Sequence, residues 1–229
     1  MSGNFLEALE LTLDTLVVSD THLGHKNILK FCPSRKVIYD KTTKKITPED
    51  ILLKNIFEDR GEGEVIFHLG DYAFNGQGIN KYRDSLLETD TILLPGNHDK
   101  KTKQNFIYNG FNKVIEGVFV ENYGLTFRKA LDYKNLPFCN AYIVNIEGVK
   151  IMFSHFPVFH DCPHDKAASF YPSIQKLEEI YIKENCDFNI HGHTHEKNSS
   201  FPNSFNVSVE QINFKPISIR DILTHKGLI

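Results

Sequence analysis

The chain has 229 residues, 41% hydrophobic and 24% charged, which supplies a sizeable apolar core and argues against a disordered or membrane-spanning chain. Its formal net charge of −3 speaks against a protein that holds nucleic acid through an overall basic excess. The four cysteines (Cys32, Cys139, Cys162, Cys186) contain no CxxC pair, so neither a disulfide scaffold nor a structural zinc site is expected.

The N-terminal stretch is acidic where a secretory leader would be basic. Its longest apolar run, Leu16–Val18, is too short for a leader or a membrane span, so a cytoplasmic protein with no membrane partner is expected. The first strand is predicted at Leu16–Ser19, a β-branched run that ends at Asp20. Thr47-Pro48-Glu49-Asp50 reads as an N-cap, a proline at N1 and first-turn acids, opening a helix to about Asp59 that Gly61 and Gly63 stop. A second strand follows at Val65–His68, then a helix over roughly Ile79–Glu88, a strand at Thr91–Leu94 and a helix over Lys100–Tyr108. The next segment is richer in strands: Val114–Val120, then Ala141–Ile146 and Val149–Phe153, joined as a hairpin at Glu147-Gly148. His155–Ser169 reads as a long loop, Ser173 as the cap of a helix to about Glu184, and Asp187–Ile190 and Phe205–Val209 as the last strands. Short apolar runs alternating with amphipathic stretches indicate an α/β protein, and without a repeat or linker a single domain spanning 1–229 is the simplest organisation.

The residues able to carry chemistry cluster by position. Asp20 and His22 follow the first predicted strand, Asp71 the second, and Asn97 and His98 the third; His155 follows Val149–Phe153, and His193 and His195 follow Asp187–Ile190. In open α/β sheets ligands collect outside the carboxyl ends of strands, so five separate segments are expected to deliver donors to one sheet edge. Imidazole, carboxylate and amide donors without a thiolate suit divalent manganese, iron, zinc, cobalt or nickel. Asp20, His22, Asp71, Asn97, His155, His193 and His195 exceed what one tetrahedral ion needs. The natural reading is therefore two ions about 3.5–4 Å apart, clamping a phosphoryl group, with Asp71 as the bridging carboxylate.

Singly, Gly70-Asp71 and Gly96-Asn97 read as Asx turns. Together with the histidine blocks, the series Asp20-Thr-His22, Gly70-Asp71, Gly96-Asn97-His98-Asp99, His155 and Gly192-His193-Thr194-His195 resembles the full motif set of the calcineurin-like metallophosphoesterases, in that superfamily's order. The resemblance implies a four-layer α/β/β/α sandwich of two stacked mixed sheets flanked by helices. It also implies that Asp20, His22 and His195 hold one ion while Asn97, His155 and His193 hold the other, with Asp71 between them and a bridging hydroxide as nucleophile. Manganese is the expected metal, with iron, zinc, nickel, cobalt or magnesium as alternatives. His98 would stabilise charge on the phosphate or protonate the leaving oxygen, and Asp99 would orient or electrostatically support that imidazole. Protein serine/threonine phosphatases of the superfamily carry an Asp-Arg pair after the second block and GNHE in the third. This chain has neither, and is closer to a small GNHD-type prokaryotic and viral branch that also resembles it in Asp20-Thr-His-Leu-Gly-His25-Lys-Asn27-Ile and Asn206-Val-Ser-Val-Glu210.

His25, Asn27 and Arg35, which follow the first ligand loop, are expected substrate contacts, with a surface position as the alternative for Arg35. His191 and His68 read as packed or supporting histidines; His160-Asp161-Cys162-Pro163-His164-Asp165 resembles a zinc site by composition but lacks its paired spacing, and reads as a substrate-facing or merely polar loop. Lys100, Lys101 and Lys103 read equally as contacts to a polyanion or as a solvated helix start. The expected activity is two-metal hydrolysis of a phosphate ester, with a phosphodiester of a nucleotide-type small molecule preferred. The alternatives are a phosphomonoesterase, a nuclease, and a non-catalytic scaffold of the same fold. Oligomeric state and the role of residues 196–229 are not legible.

Overall fold

The computed structural model describes residues 6–57, 64–74, 90–99, 110–122, 125–129, 136–160 and 163–229. The expected helices over Ile79–Glu88 and Lys100–Tyr108, the lysines at 100, 101 and 103, and Asp161 and Cys162 lie outside the described residues. Among the described residues, twelve strands fall into two sheets. One has the order β12 (Ile217–Ser218), β2 (Leu16–Val18), β3 (Val65–His68), β4 (Asp90–Leu93), β5 (Lys113–Val114), all parallel except β12. The other has the order β1 (Leu6–Glu7), β7 (Leu125–Arg128), β6 (Val118–Asn122), β8 (Ala141–Ile146), β9 (Val149–Ser154), β10 (Phe188–His191), β11 (Ser204–Asn206), and mixes parallel and antiparallel pairs.

Strand alternation builds the layers. In the first sheet Val17, Phe67 and Ile92 face inward and meet Tyr142, Ile151, Phe153 and Ile190 of the second sheet. The neighbouring Val18, Ile66 and Leu93 face outward, against Leu52, Leu53 and Ile56 of helix α3 (Pro48–Phe57). On the far side, Val118, Ala141, Ile143 and Met152 pack on Ile174, Leu177 and Ile180 of helix α5 (Tyr171–Lys183). The result is two stacked mixed sheets flanked by helices, the four-layer sandwich that the motif resemblance implied.

Several sequence expectations shift for physical reasons. The stretch 114–120 is two strands, because Gly117 turns the chain with φ 108° and sends β5 to one sheet and β6 to the other. The hairpin at Glu147-Gly148 forms with φ of 50° and 85°, the paired positive values of a tight β turn. Thr47 caps α3 in a reciprocal box: its Oγ1 accepts from Asp50 N–H (3.2 Å) and Asp50 Oδ2 accepts from Thr47 N–H (2.7 Å). Ser173 is no cap; α5 starts at Tyr171, and the Ser173 hydroxyl donates to Pro137 O (2.7 Å). The expected 155–169 loop contains the short helix α4 (Pro163–Lys166), and residues 24–40 hold helices α1 (Ile28–Phe31) and α2 (Lys36–Tyr39). Residues 196–229 close the fold: β11 extends one sheet, β12 the other, and helix α6 (Ile219–His225) places Ile219, Ile222 and Leu223 in the inter-sheet core. No helix among the described residues is long and apolar enough to cross a membrane.

Phe153 is buried between the sheets, with its ring 5.3 Å from that of Phe67. Phe153→Ala is expected to cost about 3–5 kcal/mol of unfolding free energy, read as a fall in the urea midpoint. An unchanged midpoint would contradict the inter-sheet core.

Candidate metal centre

Ligand loops leave both sheets, not one edge of one sheet. Asp20, Asp71 and the 95–99 loop follow β2, β3 and β4, while His155 and residues 192–195 follow β9 and β10. Where the sheets converge the loops are stitched backbone to backbone: Asp20 N–H donates to Gly70 O (3.0 Å), His22 N–H to Asp71 O (2.9 Å), Gly192 N–H to His155 O (3.0 Å) and Ser19 N–H to Val207 O (2.9 Å). Asp20, His22, Asp71, His193 and His195 all adopt left-handed backbone, with φ from 48° to 69°. Such positions cost of order 1–3 kcal/mol each and persist where the surroundings over-determine them. Glycine makes the closest approach possible: a Cβ on Gly192 would collide with Ser19 Oγ and Asp20 Oδ2.

Two sets of donors come within 4.8 Å of one another: Asp20, His22 and His195, and Asp20, Asp71 and His155. Asp71 Oδ2 lies 3.4 Å from both His22 Nε2 and His155 Nε2, facing the two sets at once. Asn97 joins the second set, with Oδ1 3.0 Å from His155 Nε2. His193 meets the His155 ring edge-on at 5.2 Å, but its Nε2 pairs with Oδ1 of Asp165 in α4 (3.2 Å). Asp20 Oδ1 and both ring nitrogens of His22 are buried and make no hydrogen bond. A buried carboxylate oxygen facing unsatisfied imidazole nitrogens is costly unless a cation joins them, so the donor set fits divalent metal.

Charge within the cluster is self-consistent. Burial alone would raise Asp20, but His22, His195 and His155 hold its carboxyl well below the usual carboxylate range. Asp71 is likewise held far down against its burial by His155 and His22. Burial would lower His155, yet Asp71 and Asp20 push it up to about 9, and its Nδ1–H donates to Leu69 O (2.8 Å). That bond leaves Nε2 as the nitrogen turned toward Asp71 and Asn97.

His195 is oriented in the same way from its other nitrogen. Nδ1 lies 3.1 Å from Glu210 Oε1, and Nε2 faces Asp20 Oδ1 at 3.8 Å. Glu210 is locked in turn by Arg35, whose Nε donates to Oε1 (2.7 Å) while Nη1 and Nη2 donate to Thr21 O (2.9 Å) and Asp20 O (2.5 Å). Arg35 is 2% exposed, which overturns both expectations for it: it neither meets substrate nor lies at the surface. It pins the first ligand loop from behind. Cys32, buried, completes a third close set with His195 and Glu210, but Glu210 is already committed to Arg35 and His195, so this set supports the ligand. The Asn206-Val-Ser-Val-Glu210 segment supplies further struts: Asn206 Nδ2 donates to Thr194 Oγ1 and His195 O (both 2.9 Å), and Ser208 Oγ lies 3.0 Å from Asp20 Oδ2.

The Asp99 carboxylate accepts from the backbone N–H of Asp71 (2.6 Å), Gly96 (3.0 Å) and Tyr72 (3.1 Å), tying two ligand loops together. Burial and the Asp71 charge push it up to about 7. His98 itself donates its N–H to Asp71 Oδ1 (2.8 Å), with its ring 5.1 Å from His22 and 5.4 Å from Phe74. His68 and His191 are supporting residues. His68 accepts Gly70 N–H at Nδ1 (3.2 Å) and lies 3.1 Å from Thr21 Oγ1, and His191 Nδ1 donates to Gly192 O (2.8 Å). Burial lowers them to about 3 and about 4, so both are neutral. His25, Asn27, Asn97, His98, His193 and His195 line one open cleft of about 1110 Å³ above Asp71.

The profile of the calcineurin-like phosphoesterase family matches residues 13–197 of this chain, a span that contains Asp20, His22, Asp71, Asn97, His155, His193 and His195. An uncharacterized protein of Methanocaldococcus jannaschii, MJ1445, is 25% identical over 224 residues, 93% of this chain and 92% of its own. The crystal structure of AQ665 from Aquifex aeolicus, a protein of unknown function, superposes with a TM-score of 0.63 at 25% identity, covering 92% of this chain and 98% of that one.

Two outcomes follow from the geometry. Glu210→Ala is expected to weaken manganese binding about 10–100-fold, measured by titration calorimetry, because His195 loses its orienting acceptor. Wild-type affinity in that variant would contradict the role. Imidazole must be neutral to ligate, and His155 in the metal-free protein holds its proton until about pH 9. Manganese uptake at pH 7.5 should therefore release protons, seen as a binding heat that varies with the ionisation enthalpy of the buffer, and affinity should fall as pH drops below about 9. A buffer-independent heat would contradict this.

Proposed function

The chain belongs to the calcineurin-like phosphoesterase family and is a metal-dependent hydrolase of phosphate esters, and we propose that it cleaves a phosphodiester of a nucleotide-type small molecule in the cleft above Asp71. The observation that carries this reading is the convergence of two carboxylate–imidazole sets on one buried floor, with Asp71 facing both. Asp20, His22 and His195 would hold one ion and Asn97, His155 and His193 the other. Manganese is our first choice, since mixed nitrogen and oxygen donors without thiolate suit it. When bound, two divalent ions polarise the phosphoryl oxygens and make water nucleophilic near neutral pH.

The chain's own residues do the rest. Asp71, negative and fixed by its bond from His98 N–H, keeps the two donor sets at one spacing. His98 stands in the cleft between His22 and Phe74, where its ring meets the phosphate and gives a proton to the departing oxygen. Asp99 acts on His98 only through the backbone, by holding the 96–99 loop against Asp71. His25 and Asn27 line the cleft beside His98 and contact the substrate. The unpaired thiols Cys32, Cys139 and Cys186 suit a cytoplasmic setting.

The test is hydrolysis of bis-p-nitrophenyl phosphate and p-nitrophenyl phosphate with manganese, nickel, magnesium or chelator. Manganese-dependent turnover is expected, faster on the diester, abolished by chelator, and lowered about 10²–10⁴-fold in kcat by His98→Ala. Preference for the monoester would make the protein a phosphomonoesterase. No turnover with any metal would move the fold to a binding role.

A further inference from the structure

One wall of the cleft carries more recognition chemistry than cleavage of a simple ester requires. Residues 24–31 form it, ending in helix α1. Ile28 is buried, while Phe31, one turn on, is 69% exposed at the cleft rim. Its ring does not stand alone. It meets His25 edge-on at 5.8 Å, His25 meets Phe74 at 3.9 Å, and Phe74 meets His98 at 5.4 Å. A file of rings thus runs from the candidate general acid to solvent, and its outer member presents a bare face. Basic charge lies along the same path. Lys26, Lys30 and Lys197 line the same cleft as Phe31, and none of the three is in a salt bridge among the described residues.

We infer that this wall is a recognition subsite for a nucleotide with at least one phosphate beyond the one cleaved, the base stacking on Phe31 and His25 and the extra phosphate meeting Lys26, Lys30 and Lys197. The inference rests on the phosphoesterase reading of the site and deepens it by naming the substrate class. An exposed aromatic beside unpaired lysines suits a planar base joined to a polyanion, because stacking tolerates any base and ammonium groups meet phosphate oxygens without fixed geometry.

Binding is the deciding measurement, because it does not depend on turnover. Manganese-loaded wild type, Phe31→Ala and Lys26→Ala/Lys30→Ala proteins are titrated calorimetrically with adenosine 5′-diphosphate, adenosine 5′-monophosphate and pyrophosphate. Wild type should bind the diphosphate about tenfold tighter than either other probe. Phe31→Ala should lose about tenfold for the diphosphate while leaving pyrophosphate unchanged, and the double lysine variant should weaken both. Phe31 and the lysines are exposed, so these variants are expected to fold, which circular dichroism checks. Equal affinity for diphosphate and pyrophosphate, or an unchanged ratio in Phe31→Ala, overturns the subsite. Ring-dependent binding without hydrolysis of bis-p-nitrophenyl phosphate would leave the subsite standing and sink the diesterase reading instead.

Discussion

The buried carboxylate of Asp20 is the constraint on which the rest of the site depends. An isolated charge in that position would be far too costly, so the fold surrounds it with donors: His193 N–H at 2.8 Å, Ser208 Oγ at 3.0 Å, and His22 and His195 within 4 Å of its other oxygen. Those donors come from both sheets and from the C-terminal segment. Satisfying this one group therefore fixes the spacing of the two sheets, the turn at Gly192 and the path of residues 206–210. The left-handed backbone at Asp20 and at four other candidate ligands is the local cost of that convergence, offset by the packing of the inter-sheet core.

A second tier of residues makes the first one usable. Arg35 and Glu210 orient His195 and the first ligand loop, Asp99 ties the second loop to the third, Asp165 pairs with His193, and Leu69 O selects which nitrogen of His155 faces the cluster. None of these residues needs to touch a substrate. Their common effect is to commit one ring nitrogen or one backbone donor to the protein, so that the remaining donor points inward.

Much of this was legible in the chain. Short β-branched runs ending in Asp, Asn or His announced β2, β3, β4, β9 and β10 together with their ligands, because a buried parallel strand and the loop at its carboxyl end leave a strong local pattern. What failed to show was what only tertiary neighbours determine. A buried arginine runs against composition-based expectation, and Arg35 becomes intelligible only once Glu210, 175 residues away, lies beside it. The break at Gly117 that sends β5 and β6 to different sheets, and the four-residue helices of 24–40, are too short to set up a period. Asp99 adjoins His98 in sequence, and nothing local tells that its carboxylate turns back to the main chain at Asp71, Tyr72 and Gly96.

In the arrangement we propose, Asp71 stands between two cation sites built on Asp20–His22–His195 and Asn97–His155–His193, and anomalous diffraction from crystals grown with manganese would locate them. Two peaks are expected, both within ligating distance of the Asp71 carboxylate, one beside His22 and His195 and the other beside Asn97 and His155. A single peak, or a peak centred on Cys32 and Glu210, would rule the arrangement out.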